Sequence, residues 1–262
     1  MTSLGEDVFI LRAYNPQKIE VYDNKNKTFT LQGHITVPGL GDACYGLVAC
    51  SYNKCLYASD NGNDSVHRVE LSRSNAVMKW SVARYPRGLS VNSEHNLIVL
   101  SADESKLQIF TTHGTLLQTI QLQANVEYAW HAVQLPNTSQ FLVSDSGVNS
   151  LHRLCLVGAD GAVVRSYGRR AGSELMQMNC PGGLAIDREG RVLVTDTFND
   201  RLLVIDQSLS SAHEMTVSVD GDLKCPRSLW YDQSRRRLYI GKWDDGRVIV
   251  IGNLEDFTAT QV

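Results

Sequence analysis

The sequence predicts an all-β fold: a six-bladed β-propeller of four-stranded antiparallel blades. Three observations predict it. A Gly-Leu-type motif returns along the chain, each return carries short runs of strand-forming residues, and turn residues separate those runs. No amphipathic stretch of helical period with capping residues interrupts the pattern.

The motif is clearest at Cys180-Pro181-Gly182-Gly183-Leu184-Ala185-Ile186-Asp187. It is echoed at Cys225 to Asp232 and at Tyr85 to Asn92, and more loosely at Cys44 to Val48 and Trp130 to Gln134. Taking Gly46, Gly88, Ala132, Gly183 and Ser228 as equivalent, the spacings are 42, 44, 51 and 45 residues. In the clearest repeat, four runs have strand chemistry: 183–187, 191–196, 201–206 and 214–219. The turns Arg188-Glu189-Gly190 and Thr197 to Asp200 separate the first three. Paired second and third runs recur in every other repeat: 8–11 with 18–22, 56–59 with 66–70, 97–100 with 107–110, 141–144 with 151–156, and 238–240 with 248–251.

Six like sheets cannot each bury two faces alone. Packing them radially covers the faces and leaves only short edges, which is the propeller solution. The expected organisation is one domain over 1–262, with blades near 1–38, 39–82, 83–124, 125–172, 173–221 and 222–262. The first repeat lacks an evident innermost strand and the last an evident outermost one. Residues 1–6 and 255–262 are expected to supply them.

Composition sets outer limits. The chain has 262 residues, 20% charged and 43% hydrophobic, with a formal net charge of −3. That balance excludes long disordered tracts and a global basic field. No apolar run approaches the ~18 residues a membrane helix needs. No secretory signal is visible at Met1 to Phe9, so a cytoplasmic, reducing setting is the default expectation. Six cysteines are present, none in a Cys-x-x-Cys pair. Cys50 and Cys55 flank a short turn and could face each other across a hairpin, with free thiols as the default. The sequons at Asn26, Asn63 and Asn137 are about as many as composition alone would give.

The repeats resemble the NHL family. Its typical unit reads Pro-x-Gly-Leu/Ile-Ala-Val-Asp, then an apolar strand ending in Asp, then an x-x-Asn-x-Arg turn and a further apolar strand. Pro181, Gly183, Leu184, Ala185, Ile186, Asp187, Asp196, Asn199 and Arg201 match it. Other repeats match in part: Asp60 and Asn63 fit while Ser65 replaces the arginine, and Gly241 stands where the last repeat should carry its aspartate. The resemblance implies the propeller fold and leaves function open. Related six-bladed propellers include lactonase-like hydrolases, strictosidine-synthase-like enzymes, an amidating lyase, and the RNA- or protein-binding domains of TRIM-NHL proteins.

Function is sought at the residue preceding each Gly-Leu, because in such propellers it rims the central channel. The rim set is Tyr45, Arg87, His131, Gly182 and Arg227, with Trp130 and Trp243 as neighbouring aromatic walls. Polar, aromatic and positive groups around a concave mouth suit an anionic or hydrogen-bond-accepting ligand. The recurring Asp–Arg pair, as in Asp196 and Arg201, reads as a structural device across a turn. His67 and His152, each followed by Arg, occupy like third-strand positions and read the same way. Cys180 and Cys225 read as small buried residues.

Neither a metal nor another cofactor is called for. The position often held by Asp in lactonase-like enzymes is Gly182, Arg87 and Arg227 would repel a cation, and only His131 among seven histidines sits on the rim. No Gly-x-Ser-x-Gly motif marks a nucleophile, and no catalytic residue is assigned. The expected function is therefore non-enzymatic recognition of a protein or peptide. The alternatives are a channel-site hydrolase or lyase acting on a small polar or anionic molecule, and single-stranded RNA binding. RNA binding is opposed by acidic loops that include Asp60, Asp64, Asp145, Asp200, Asp244 and Asp245.

Overall fold

The computed structural model describes residues 1–5, 7–11, 18–23, 29–72, 75–147, 151–174, 176–215 and 223–252. Six antiparallel sheets make the blades of a β-propeller. They fall into two compact units, Met1–Gln121 and Leu122–Val262.

The first unit holds three four-stranded sheets. They are β1 (Thr2–Leu4), β2 (Asp7–Leu11), β3 (Lys18–Asp23) and β4 (Thr30–Thr36); β5 (Leu47–Cys50), β6 (Cys55–Asp60), β7 (Ser65–Glu70) and β8 (Val77–Ser81); and β9 (Pro86–Val91), β10 (Leu97–Ser101), β11 (Lys106–Phe110) and β12 (Leu116–Gln121). The second unit holds β13 (Ala129–Gln134), β14 (Phe141–Ser146), β15 (His152–Val157) and β16 (Val163–Tyr167); β17 (Pro181–Ile186), β18 (Val192–Asp196), β19 (Arg201–Ile205) and β20 (Ala212–Met215); and β21 (Pro226–Asp232), β22 (Arg237–Lys242) and β23 (Val248–Ile251). The only described helix is a 3-10 turn at Thr197–Asn199.

The expected N-terminal strand is present: β1 pairs with β2 at the edge of the first sheet. Residues 255–262, expected to complete the last sheet, lie outside the described residues, as do 216–219 of the expected run 214–219.

Period-two alternation explains the packing. Along β17 to β19, Leu184, Val192, Val194, Leu203 and Ile205 face the fourth blade and join Leu135, Leu142, Leu154 and Leu156 in one core. The intervening Ala185, Leu193, Leu202 and Val204 face the sixth blade, packing with Leu229, Leu238 and Ile240. A strand buried on both faces needs apolar residues at successive positions, hence the continuous run Val192-Leu193-Val194. Outermost strands have one covered face at most, and β12 is accordingly exposed at five of its six positions.

The innermost strands of the third to sixth blades carry an extra residue near their starts. Gly88 pairs with Leu100 and Pro86 with Ser101, leaving Arg87 bulged. Ser228 pairs with Gly241 and Pro226 with Lys242, leaving Arg227 bulged. In β13, His131 pairs with Ser144 and Ala129 with Asp145, so the bulged residue is Trp130.

Two sequence equivalences are thereby corrected. His131, not Ala132, matches Gly88 and Gly183. Lys242, not Gly241, stands where the second, fourth and fifth blades carry the turn aspartate. The ladder decides both, because one extra residue moves every later pair without changing the local pattern. His67 and His152 are not equivalent either: His67 pairs with Ala58, three residues inside the sheet from where His152 pairs with Ser146.

Candidate functional site

Bulged residues point away from the alternation of their strands, which re-aims their side chains. In the second unit, two bulged side chains, Trp130 and Arg227, join turn residues to build one row of rings around a cation. The Arg227 guanidinium lies 3.4 Å from the Trp130 ring centre and 4.5 Å from that of Trp243. Tyr128 meets Trp130 edge-on at 5.6 Å. Phe198, in the 3-10 turn, stacks on Trp243 at 6.2 Å. Arg227 Nη1 also donates to Cys180 Sγ at 3.2 Å. The outer members of the row are open to solvent: Trp243 is 58% exposed, Phe198 52% and Tyr128 40%.

Hydroxyl groups hold the bulges in place. Ser144 Oγ accepts the His131 N–H at 3.1 Å and donates to the Gly182 carbonyl of the next blade at 2.7 Å. Thr195 Oγ1 accepts the Gly183 N–H at 2.8 Å and donates to the Arg227 carbonyl at 3.3 Å. Gly182 contributes no side chain because none fits: a Cβ there would stand 2.8 Å from both the Arg227 carbonyl and Thr195 Oγ1.

The first unit builds a smaller version. Tyr45 is exposed, while Arg87 is only 6% exposed and lies beneath two rings, 5.3 Å from Tyr85 and 6.0 Å from Tyr45. Ring faces attract and shield each guanidinium, with Arg87 buried beneath its rings and Arg227 half-buried between its two. His131 is half-buried and serves the blade joint: its Nδ1 accepts the Leu184 N–H at 3.1 Å.

Of the six side chains singled out in the sequence besides Gly182, those of Trp130, Arg227 and Trp243 come together. Tyr45 and Arg87 form the separate cluster, and His131 belongs to neither. Sequence reasoning missed Tyr85, Tyr128 and Phe198. The first two stand two residues before the bulged Arg87 and Trp130, and that spacing is the signal that would have found them.

The acidic loops are mostly structural. Asp196 Oδ2 accepts Arg201 Nε and Asn199 Nδ2, both at 2.8 Å. Arg153 Nε donates to Asp145 Oδ2 at 3.2 Å. Burial pushes both of these carboxyls up, against the pull of their donors. In the second blade Ser65 replaces the arginine, and His67 Nε2 reaches Asp60 Oδ2 at 3.3 Å instead. Burial opposes ionisation of Asp60, but donors from Asn63, Gly41 and His67 hold its carboxyl below the ordinary value. The next aspartates clasp the following blade: Asp64 Oδ1 accepts the Tyr85 N–H at 2.9 Å and Asp200 Oδ1 the Cys225 N–H at 2.7 Å. In the sixth blade the polarity inverts, with Lys242 Nζ 3.0 Å from Asp245 and 3.4 Å from Asp244. Among the described residues no three His, Cys, Asp or Glu side chains converge as metal ligands.

No family model matches the chain. Part of it, 137 residues or 51% of its length, is 26% identical to Protein brain tumor of Drosophila melanogaster, and the match spans 12% of that protein. Solved structures share the fold at low identity. The chain aligns over 90% of its length with a chain of the nidogen/laminin complex, covering 86% of it, at a TM-score of 0.72 and 16% identity. It aligns over 97% with hydrazine synthase of Kuenenia stuttgartiensis, covering 95% of that chain, at 0.71 and 13%. With virginiamycin B lyase from Staphylococcus aureus the shares are 93% and 76%, at 0.64 and 10%.

Proposed function

We propose that this chain is a non-enzymatic recognition propeller of the NHL type that docks a protein or peptide partner on the ring–cation row of its second unit. The observation that carries the reading is the row Tyr128–Trp130–Arg227–Trp243–Phe198, with its three exposed rings. Aromatic residues fixed by a stacked arginine offer large apolar area at small entropic cost, which is what interface centres are made of. The partial similarity to Protein brain tumor and the fold shared with a chain of the nidogen/laminin complex support it.

The test compares the intact chain with Trp243→Ala combined with Phe198→Ala. Both side chains are more than half exposed, so the fold survives. Partners co-purified by the parent chain should be lost with the double variant, and their retention would move recognition elsewhere. A random single-stranded RNA pool titrated at two salt concentrations checks the runner-up. Salt-resistant binding that the same variant abolishes would replace a protein partner with RNA. Turnover of lactones, esters or peptide amides by the parent chain would overturn the non-enzymatic reading.

A further inference from the structure

We infer that Cys50 and Cys55 form a redox-active dithiol, with Cys50 as the attacking thiol and Cys55 as the resolving one, modified by hydroperoxides. The pair sits on the β5–β6 hairpin, at the opposite end of the innermost strand from Tyr45. It is independent of the docking surface.

Geometry carries the assignment. Cys50 and Cys55 are directly opposed partners in the antiparallel ladder. Opposed residues of such a pair lie about 4.5–5.5 Å apart at Cα, inside the span of about 4.4–6.8 Å that a disulfide bridges. Both are free thiols in the structure. Asn53, in the connecting turn, donates its Nδ2–H to Cys50 Sγ at 3.3 Å and shares that amide with the His95 carbonyl, also at 3.3 Å. Tyr52 stacks flat on His95 at 4.1 Å, tying this turn to the corresponding turn of the next blade. Cys50 thus accepts from Asn53 at a structured corner.

The groups facing each sulfur separate their roles. The neighbouring Cys55 thiol, with the Asn53 amide that donates to Cys50 and nearby His95, draws the Cys50 thiol below the ordinary range against the effect of burial. Cys55 is pushed up, chiefly by Cys50 and by burial, with Tyr57 and Arg68 pulling the other way. Arg68 is in turn paired with Glu70, the ladder partner of Cys55. Cys44 and Cys155 are each pushed up to about 12, chiefly by burial. Nucleophilicity follows the thiolate, so Cys50 stands apart from them. Both thiols of the pair are buried, yet Cys50 ends its strand beside the exposed Ser51, Tyr52 and Lys54. Local opening of that turn gives a small oxidant its access.

The chemistry balances in two steps. The Cys50 thiolate attacks one oxygen of a hydroperoxide; an S–O bond forms, the O–O bond breaks, and the departing alkoxide takes up a proton to leave as alcohol. Cys55 then loses its proton and attacks the Cys50 sulfur; the S–S bond forms, the S–O bond breaks, and hydroxide leaves with the proton as water. The dithiol is oxidised by two electrons and the hydroperoxide reduced by two.

The experiment treats the reduced full chain with hydrogen peroxide or tert-butyl hydroperoxide and maps the products by mass spectrometry. The expected result is a Cys50–Cys55 linked peptide with the loss of two hydrogens. In Cys55→Ser, Cys50 should instead accumulate as a sulfenic acid trapped by dimedone, and in Cys50→Ser neither product should form. Timed iodoacetamide labelling of the untreated parent chain at slightly acid pH should modify Cys50 at least about tenfold faster than Cys55. This labelling decides the roles even if a serine variant misfolds. Absence of the linked peptide, or faster labelling of Cys55, would overturn the assignment.

Discussion

Glycine has two distinct uses in this chain, and the difference is measurable at single residues. At Gly183 a Cβ would stand 2.6 Å from the Leu229 backbone nitrogen and 3.0 Å from Leu229 Cβ. At Gly46 it would stand 2.8 Å from the Arg87 carbonyl. Both lie where an innermost strand meets the next blade, and backbone cannot step aside. Gly33, within β4, has nothing within 4 Å. Gly183→Ala is therefore expected to destabilise by about 1–3 kcal/mol through overpacking. Gly33→Ala should be neutral or slightly stabilising, because a strand glycine costs about 0.5–1 kcal/mol in chain entropy. Denaturant midpoints of the two variants check this. Equal midpoints would show that the blade joint is looser than the distances indicate.

In the second and fifth blades the second-to-third turn works as a clasp on its own sheet and on the next. In the fifth blade, Asp196 is fully buried and Arg201 mostly so. Arg201 also donates to the Ser173 and Gln177 carbonyls, both at 3.1 Å. Asp196→Ala leaves this mostly buried cation with only the exposed Glu214 carboxylate, 3.5 Å away, and is expected to cost about 3–5 kcal/mol. Asp200→Ala removes one acceptor from a solvent-exposed position. The Cys225 N–H then turns to water, so about 1 kcal/mol or less is expected. Equilibrium unfolding of both variants tests the ranking. A larger loss in Asp200→Ala would mean that the inter-blade clasp, rather than the intra-blade pair, dominates. Three residues entering innermost strands, Tyr85, Cys180 and Cys225, have φ of 59°, 60° and 44°. Each precedes a proline, so both neighbours constrain the backbone where the clasp closes.

For the whole molecule, buried titratable groups set how stability follows pH. Burial draws both His67 and His152 below the ordinary histidine value, against the pull of nearby aspartates. A base with a depressed folded pKa binds its proton more readily when unfolded. Its stabilisation is complete above about pH 6.5, the unfolded value, and is lost as pH falls from there. Asp60, held low, loses its contribution at still lower pH. Asp145 and Asp196, raised by burial, act in the opposite sense: their contribution is complete below the ordinary carboxylate value and is lost as pH rises through the folded one. The expected outcome is a melting temperature that falls as pH drops from about 8 to about 5. The fall should be smaller when His67 and His152 are both replaced by Gln. A parent curve flat over that range would contradict it.

The blade is legible in local sequence alone. Strand runs such as 192–196 and 201–205 were legible because alternation, β-branched residues and turn residues act over a few positions. The near-regular return of the Gly-Leu motif set the number of sheets by the same local logic. The pairing of Asp196 with Arg201 was legible too, since a tight turn puts both in one neighbourhood. Everything that depends on ladder register and on contacts between blades emerges only from the folded chain. Trp130 rather than His131 holds the bulge because β13 pairs with β14 around one extra residue. Lys242 takes the aspartate position for the same reason. The row from Tyr128 to Trp243 joins side chains more than a hundred positions apart, and no periodicity within one blade records which ring will meet Arg227. Strand formation is local chemistry, whereas the site is set by where separately formed sheets stop sliding against one another.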